Sequence, residues 1–242
     1  MQQLPRPHAI FFDMGGTLLR PDRWDPAAGT RAVLALATNP DDVTAQQVDA
    51  AVRELDADLR PRRASSMIEL PPWTVRRLVY ERLRLEFAES CEEVEIAFLC
   101  AARSWKEEPG IRDVLKRLSA LRIPLGVITN TAFSGNGVAW ELRQHRLDHF
   151  FEFIMASADY VVRKPHRSLF LTAVGKLGVR SEDAWHVGDS PEYDVAGALA
   201  AGMIAVLYNP TGVDTGNPTP HAVACDWEEF RRTVEYTMHG AT

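Results

Sequence analysis

The chain has 242 residues, 46% of them hydrophobic, and a net charge of −6. That length and apolar content suffice for one large domain or two small ones with a substantial core. The acidic balance argues against nucleic acid as a partner, and no apolar run approaches the roughly 18 residues of a membrane span. The start, MQQLPRPHAIFFD, lacks the long apolar region of a signal peptide. Cys91, Cys100 and Cys225 are too widely spaced for a disulfide framework or a zinc pattern. Buried or free thiols in a reducing cytoplasm are expected.

The first predicted element is a strand at His8–Phe12, an apolar run that ends on Asp13 and enters the turn Met14-Gly15-Gly16-Thr17. Residues 21–105 follow another pattern. Their apolar positions recur at helical spacing, no convincing strand stands out, and Pro40, Pro61, Pro71 and Pro72 interrupt them. A helical insert is expected there. It holds no lysine but many arginines: Arg53, Arg60, Arg62, Arg63, Arg76, Arg77, Arg82 and Arg84. Beyond it, helices are predicted around Gly110–Leu121, Gly137–His145, Ser168–Leu177 and Pro191–Ala201. Strands are predicted at Leu125–Thr129, Phe153–Ala156, Ala184–Val187 and Ile204–Tyr208. Ser190 is placed to cap the last helix, Pro191 to fill its first position and Gly202 to close it. This alternation implies an α/β core of residues 1–20 and 106–242, with a doubly wound, mostly parallel, Rossmann-like sheet. Residues 21–105 form the second, helical domain.

In open α/β sheets, ligands bind beyond the carboxyl ends of the strands. Asp13 ends the first strand, and Thr129 and Asn130 end the second. Lys164 lies in the loop after the third, in VVRKPHRSLF, and Asp189 follows the fourth, in HVGDSPEYD. Polar residues at four successive strand ends are an improbable accident. Their types suit phosphoryl transfer. A carboxylate can attack phosphorus to form an acyl phosphate. Two neighbouring aspartates repel unless a cation lies between them, and oxygen ligands favour Mg²⁺. The metal and Lys164 would neutralise the phosphate, while Thr129 and turn amides bind its oxygens. Gly15 and Gly16 let the backbone approach closely.

These segments make the chain resemble the haloacid dehalogenase superfamily, in its phosphatase-like branch with a helical C1-type cap after the first strand. DMGGTL matches the family's first motif, Asp-x-Asp-Gly-Thr, except at Gly15. Thr129 in GVITNT matches the second, RKP at Arg163–Pro165 the lysine motif, and GDSPEYDVAGALAAGM the acidic fourth motif, with Asp189 and Asp194. The resemblance implies that Asp13 is the nucleophile and that Thr129 and Lys164 complete the catalytic set. Gly16, Thr129, Asn130 and Lys164 would then contact the substrate. Asp13, the Gly15 carbonyl and Asp189 would hold Mg²⁺, with Asp194 in support.

In the family the carboxylate two residues after the nucleophile protonates the leaving group and then activates water. Gly15 leaves that role vacant, and general acid–base help is typically worth about 10²–10⁴ in rate. His8 lies roughly 16 Å before Asp13 at about 3.3 Å per residue, too far to substitute. His186 reads as a core histidine and His166 as a solvated loop residue. Relatives lacking this carboxylate include the haloacid dehalogenases, which use no metal; Asp189 in GDS points instead to one. A branch that forms a Schiff base with a cap lysine is excluded in its usual form by the lysine-free insert. Two readings remain. One is a Mg²⁺-dependent phosphatase acting on a small phosphorylated metabolite, slowed by Gly15 and favouring leaving groups that depart unaided. The other is a silent relative that binds a phosphorylated ligand or a protein partner. The insert's arginines read as a solvated surface balanced by Glu54, Asp56, Asp58, Glu81 and Glu86, with a second anion as the alternative. Substrate identity depends on how the insert shapes the cleft, and neither it nor the oligomeric state is written in the residues.

Overall fold

The structure, a computed structural model, describes residues 4–39, 43–212 and 216–239. Pro40 lies outside the described residues, as do the side chains of Arg62 and Arg63. The chain opens with β1 (Ala9–Phe12) and β2 (Leu19–Trp24). Four helices follow: α1 (Pro26–Leu34), α2 (Ala45–Ser66), α3 (Pro72–Arg82) and α4 (Cys91–Ala102). Next come β3 (Arg103–Glu107), α5 (Ile111–Ala120), β4 (Leu125–Thr129), α6 (Gly135–Gln144), β5 (Phe153–Ala156) and α7 (Ser157–Tyr160). The chain continues through α8 (Arg167–Leu177), β6 (Ala184–Gly188), a π-helical turn (Pro191–Val195) and α9 (Ala196–Ala200). It closes with β7 (Ile204–Tyr208), β8 (Ala222–Ala224) and α10 (Trp227–His239).

Six strands form one sheet in the order β5-β4-β1-β6-β7-β8, each pair parallel. Because helices cover both faces, its inner strands are buried throughout and read as continuous apolar runs. Alternate residues of β1 serve opposite faces. Ile10 and Phe12 join a core with Leu115 of α5 and Trp227 and Phe230 of α10. Ala9 and Phe11 join another with Leu169, Phe170 and Ala173 of α8 and Ala198 of α9. The helices supply these faces at helical spacing, as Ile111, Val114, Leu115 and Leu118 do for α5. Phe12 pairs with Val127 on one side and with Val187 on the other. That register brings the ends of β1, β4 and β6 level at the point where the strand order reverses.

The five predicted strands and four predicted helices occur within a residue or two of their expected bounds. Ser190 caps the π-helical turn, and Gly202, at φ +72°, follows α9. Three features differ. First, β2 and β3 pair antiparallel as a separate ribbon, so Pro21–Trp24 and Arg103–Trp105 are strand inside the supposedly strand-free insert. The β2 residues after Leu19 are exposed, which leaves no apolar alternation to read. Second, β8 and α10 extend the core beyond Tyr208. Third, Pro61 lies within α2 instead of ending it; a proline removes one backbone donor and strains the preceding turn.

Helices α1–α4 share a cluster that includes Val33, Val48, Val79, Val94, Phe98 and Leu99. Capping boxes start α2 (Thr44 with Gln47) and α4 (Ser90 with Glu93). The helical segment meets the sheet's carboxyl edge at two places. Glu69 N–H donates to Val161 O (2.7 Å) and Arg163 N–H to Met67 O (3.0 Å). Ser134 N–H donates to Glu95 Oε1 (3.0 Å), while Phe98 stacks on Phe133.

Candidate active site

Asp13 leaves β1 with its N–H bonded to Val187 O (2.9 Å), which continues the β1–β6 ladder one residue past the strand. Its Oδ1 accepts from Lys164 Nζ at 2.6 Å, and Lys164 donates equally to Asp194 Oδ1 at 2.6 Å. All three are buried. Asp194 also takes His186 Nε2 at 2.8 Å and Ser190 N–H at 3.1 Å. With more partners, Asp194 holds the lower pKa of the two carboxyls: burial pushes it up, and Lys164 and His186 overcome that. For Asp13, burial outweighs Lys164, and the nearby Asp194 charge adds to the rise. Burial alone would lower the Lys164 pKa, but its two carboxylates outweigh burial and raise it.

Asp189 stands at the open side of the cleft. Desolvation within the cleft, then the Asp13 and Asp194 charges, push its carboxyl up to about 6. Oxygens of Asp13, Asp189 and Asp194 lie within 4.8 Å of one another. Gly16 makes this approach possible. It has φ +78°, and a Cβ there would stand 2.2 Å from Asp189 Oδ2.

A cavity of about 390 Å³ opens over these groups, lined by Asp13, Gly15, Thr129, Asn130, Lys164 and Asp189. Two residues expected to contact the substrate also have partners within the fold. Gly16 does not line the cavity, and its N–H is spent on Leu19 O (2.8 Å). It gives room to Asp189 instead of an amide to a substrate. Asn130 lines the cavity, and its side chain also binds the protein: Nδ2 donates to Lys164 O (3.0 Å) and Oδ1 accepts Lys164 N–H (2.7 Å). It clamps the lysine loop. Thr129 lines the cavity as expected.

Neither His166 nor His186 lines the cavity. His186 is a core residue that fixes Asp194, and His166 Nδ1 accepts Ser168 N–H at the start of α8. The cysteines are free and exposed, so the buried alternative does not hold. Three of the insert's arginines lie elsewhere: Arg60, Arg77 and Arg82 pair with Asp56, Glu81 and Glu54 at the surface. Arg76 sits over the Phe98 ring at 3.7 Å.

The far wall of the cavity escaped sequence reading. It is made by Arg103 and Trp105 of β3, Arg163 and Tyr193. Glu141 of α6 organises it, accepting Arg103 Nε (2.6 Å) and Nη2 (2.5 Å) and Trp105 Nε1 (2.9 Å). One signal was available. Glu141 shares the buried face of α6 with Val138 and Leu142, and a carboxylate on an apolar face calls for a cation. The Trp105 ring covers Gly15, its nearest carbons 3.6 and 3.9 Å from where a Cβ would stand.

Among known proteins, residues 7–202 match the family model for haloacid dehalogenase-like hydrolases. The glyceraldehyde 3-phosphate phosphatase of Pyrococcus abyssi is 38% identical over 105 residues, covering 43% of this chain and 42% of that protein. The chain thus spans less than half the length of the first curated relatives it matches. The phosphoglycolate phosphatase of Pectobacterium atrosepticum is 27% identical over 216 residues, 85% of this chain and 82% of that one. Among solved structures, the 2-haloacid dehalogenase of Pseudomonas syringae pv. Tomato superposes with a TM-score of 0.65 at 25% identity, over 96% of this chain and 99% of that one. A HAD phosphatase from Thermococcus onnurineus gives 0.62 at 22% identity, over 93% and 96%. A parallel sheet that brings an aspartate, a threonine, a lysine and a second acidic pair to one edge, and a family match over most of the length, agree: the chain belongs to the haloacid dehalogenase-like hydrolases.

Proposed function

We propose that the chain is a Mg²⁺-dependent phosphatase of small phosphorylated metabolites, with Asp13 as nucleophile and with turnover restricted by Gly15. The observation that carries this reading is the crowding of three carboxylates around one ammonium. Asp13, Asp189 and Asp194 lie within 4.8 Å of one another, and the buried Lys164 is shared by two of them. Desolvation first, and then the Asp13 and Asp194 charges, raise the Asp189 pKa. An all-oxygen donor set of this kind fits a hard divalent cation. Asp13 and Asp189, with the Gly15 carbonyl, would hold it, and Asp194 would stay with Lys164. The ion would supply positive charge against a phosphoryl oxygen.

In this reading Lys164 holds one oxygen of Asp13, which leaves the other to attack phosphorus. The Asp13 oxygen–phosphorus bond forms, the ester bond breaks, and its electron pair departs with the alcohol oxygen. Thr129 and Lys164 stabilise the phosphoryl oxygens. Water then attacks the acyl phosphate, releasing inorganic phosphate and restoring Asp13. With glycine at 15, no carboxylate there protonates the leaving group or takes the proton from water. The arrangement favours leaving groups that are stable anions. We also propose that residues 21–105 act as a cap whose opening and closing on the β2–β3 ribbon admits substrate and limits turnover.

The test is hydrolysis of 4-nitrophenyl phosphate and of a panel of phosphorylated metabolites, with and without Mg²⁺, with Asp13→Asn as control. Mg²⁺-dependent phosphate release that Asp13→Asn abolishes is the expected result. Release that is absent throughout, with phosphorylated ligands still bound, sinks the reading in favour of the silent binding protein. A short 2-haloacid belongs in the same panel; its metal-independent dehalogenation would sink it in favour of carbon–halogen cleavage.

A further inference from the structure

We propose that Arg163, with Arg103 on the wall of the same cavity, forms a second anion subsite, so that the preferred substrate carries an acidic group on its leaving-group side. This rests on the phosphatase reading and names a substrate class for the same cavity. The two guanidinium groups line the cavity that holds Asp13, and both carry donors that no described residue accepts.

Arg163 is adjacent in sequence to Lys164, but their surroundings differ. Lys164 is buried between two carboxylates. Arg163 is part-buried, and its guanidinium donates no hydrogen bond to any described residue. It forms an ion pair with the buried Glu69, Nε to Oε2 at 3.8 Å and so beyond hydrogen-bonding reach, and lies 5.7 Å from the Tyr193 ring. Guanidinium is a rigid fork of five donors that matches a carboxylate or phosphate two bonds at a time. At a concave wall such a group is suited to a ligand oxyanion, and each charge-assisted bond is stronger than a neutral one.

Arg103 complements it as a fixed group. Glu141 grips its Nε and Nη2, and the rings of Trp105 and Phe133 lie 4.7 and 4.8 Å from its guanidinium carbon. Its Nη1 has no hydrogen-bond partner among the described residues. The buried Glu141 therefore holds one unused edge of Arg103 in place before any ligand arrives. The phosphoryl group belongs with Asp13, Thr129 and Lys164, so an oxyanion at the arginines lies on the leaving-group side. The preferred substrates are then short phosphate esters or acyl phosphates bearing a carboxylate or a second phosphate. A cavity of about 390 Å³ has room for a small metabolite of this type.

Binding of non-hydrolysable phosphonates, measured by calorimetry on the whole chain in Mg²⁺, tests this without relying on turnover. Phosphonoacetate and phosphonopropionate are compared with ethylphosphonate and propylphosphonate, which lack the second anion. Propylene bisphosphonate forms a further arm, and its rank against phosphonopropionate tells a second phosphate from a carboxylate. The best dianionic ligand should bind roughly 10- to 100-fold tighter than its neutral-ended counterpart. Arg163→Met should remove most of that preference, and Arg163→Lys should retain part of it. Equal affinities in the natural protein, whether strong or weak, overturn the subsite, as does a preference that survives Arg163→Met. Hydrolysis of 4-nitrophenyl phosphate, which has no second anion, separately reports on the phosphatase reading.

Discussion

The two walls of the cavity hold charge in different ways. On the sheet side, Lys164 lies between Asp13 and Asp194, and Asp194 is tied to His186 and Ser190. Asp13 directly follows β1, Lys164 lies past α7 after β5, His186 sits in β6, and Ser190 and Asp194 lie just beyond it, so the sheet register brings these groups to one edge. On the far side, Arg103 and Trp105 come from a two-stranded ribbon and depend on Glu141 of α6 to hold them. The Arg163 guanidinium donates no hydrogen bond to any described residue and meets Glu69 only as an ion pair at 3.8 Å. One wall is saturated with internal partners and suits a reaction common to a family. The other keeps donors in reserve, which suits recognition of one leaving group.

The largest effect expected from breaking this contrast is on stability. Lys164→Met would leave two buried carboxylates facing each other with no cation. Losing one partner of a buried ion pair costs about 3–5 kcal/mol, to be read as a lower midpoint in urea unfolding. A midpoint unchanged by this substitution would mean that the sheet-side charges are not held as described.

Gly15→Asp probes the join between the two walls. The Gly15 backbone is outside the left-handed region and a Cβ would meet Trp105 at 3.6 Å, an ordinary contact, so the variant should fold. If the vacancy limits the rate, it should speed alkyl phosphate hydrolysis by up to about 10²–10⁴. The natural protein should show a steep dependence on leaving-group acidity and a burst from accumulated acyl phosphate. Rapid, burst-free turnover of an alkyl phosphate by the natural protein would show that another group fills the role.

The third prediction concerns Asp189. Desolvation and the neighbouring carboxylates push its carboxyl up to about 6 in the fold, from an ordinary 3.8. The folded state therefore binds this proton more tightly than the unfolded state does. Raising the pH between those values costs stability, and the cost is complete above about 6. A cation offsets it only where the group is ionised. Mg²⁺ should raise Tm near about pH 8, and the gain should fade as pH falls below about 6. A gain independent of pH, or none, would remove Asp189 from the metal site.

The smallest effect should come from the arginines of the insert. The pairs of Arg77 with Glu81 and of Arg82 with Glu54 are about two-thirds exposed. Replacing either arginine by alanine should shift stability by less than about 1 kcal/mol and leave phosphonate affinity unchanged. A large loss of affinity would move the anion subsite from Arg163 into the helices.

What sequence alone determined follows from local rules. A parallel sheet covered on both faces needs continuous apolar runs, so each of its five longer strands was legible, and so were the polar residues at their ends. Asp13, Thr129, Lys164 and Asp189 were readable because strand ends in such a sheet converge wherever the helices between them run. Tertiary structure decided the rest. Whether the Asn130 side chain faces a ligand or the lysine backbone, and whether the Gly16 amide is free or spent on Leu19, depends on contacts across the fold that no local pattern encodes. The β2–β3 ribbon joins segments about 80 residues apart, with β2 exposed after Leu19 and β3 part-buried without alternation, so no periodicity announced it. Arg103, Trp105 and Glu141 meet only because that ribbon packs beside α6. Many arginines were visible in the insert, but only folding showed that the unspent guanidinium donors at the cavity belong to Arg103 and Arg163.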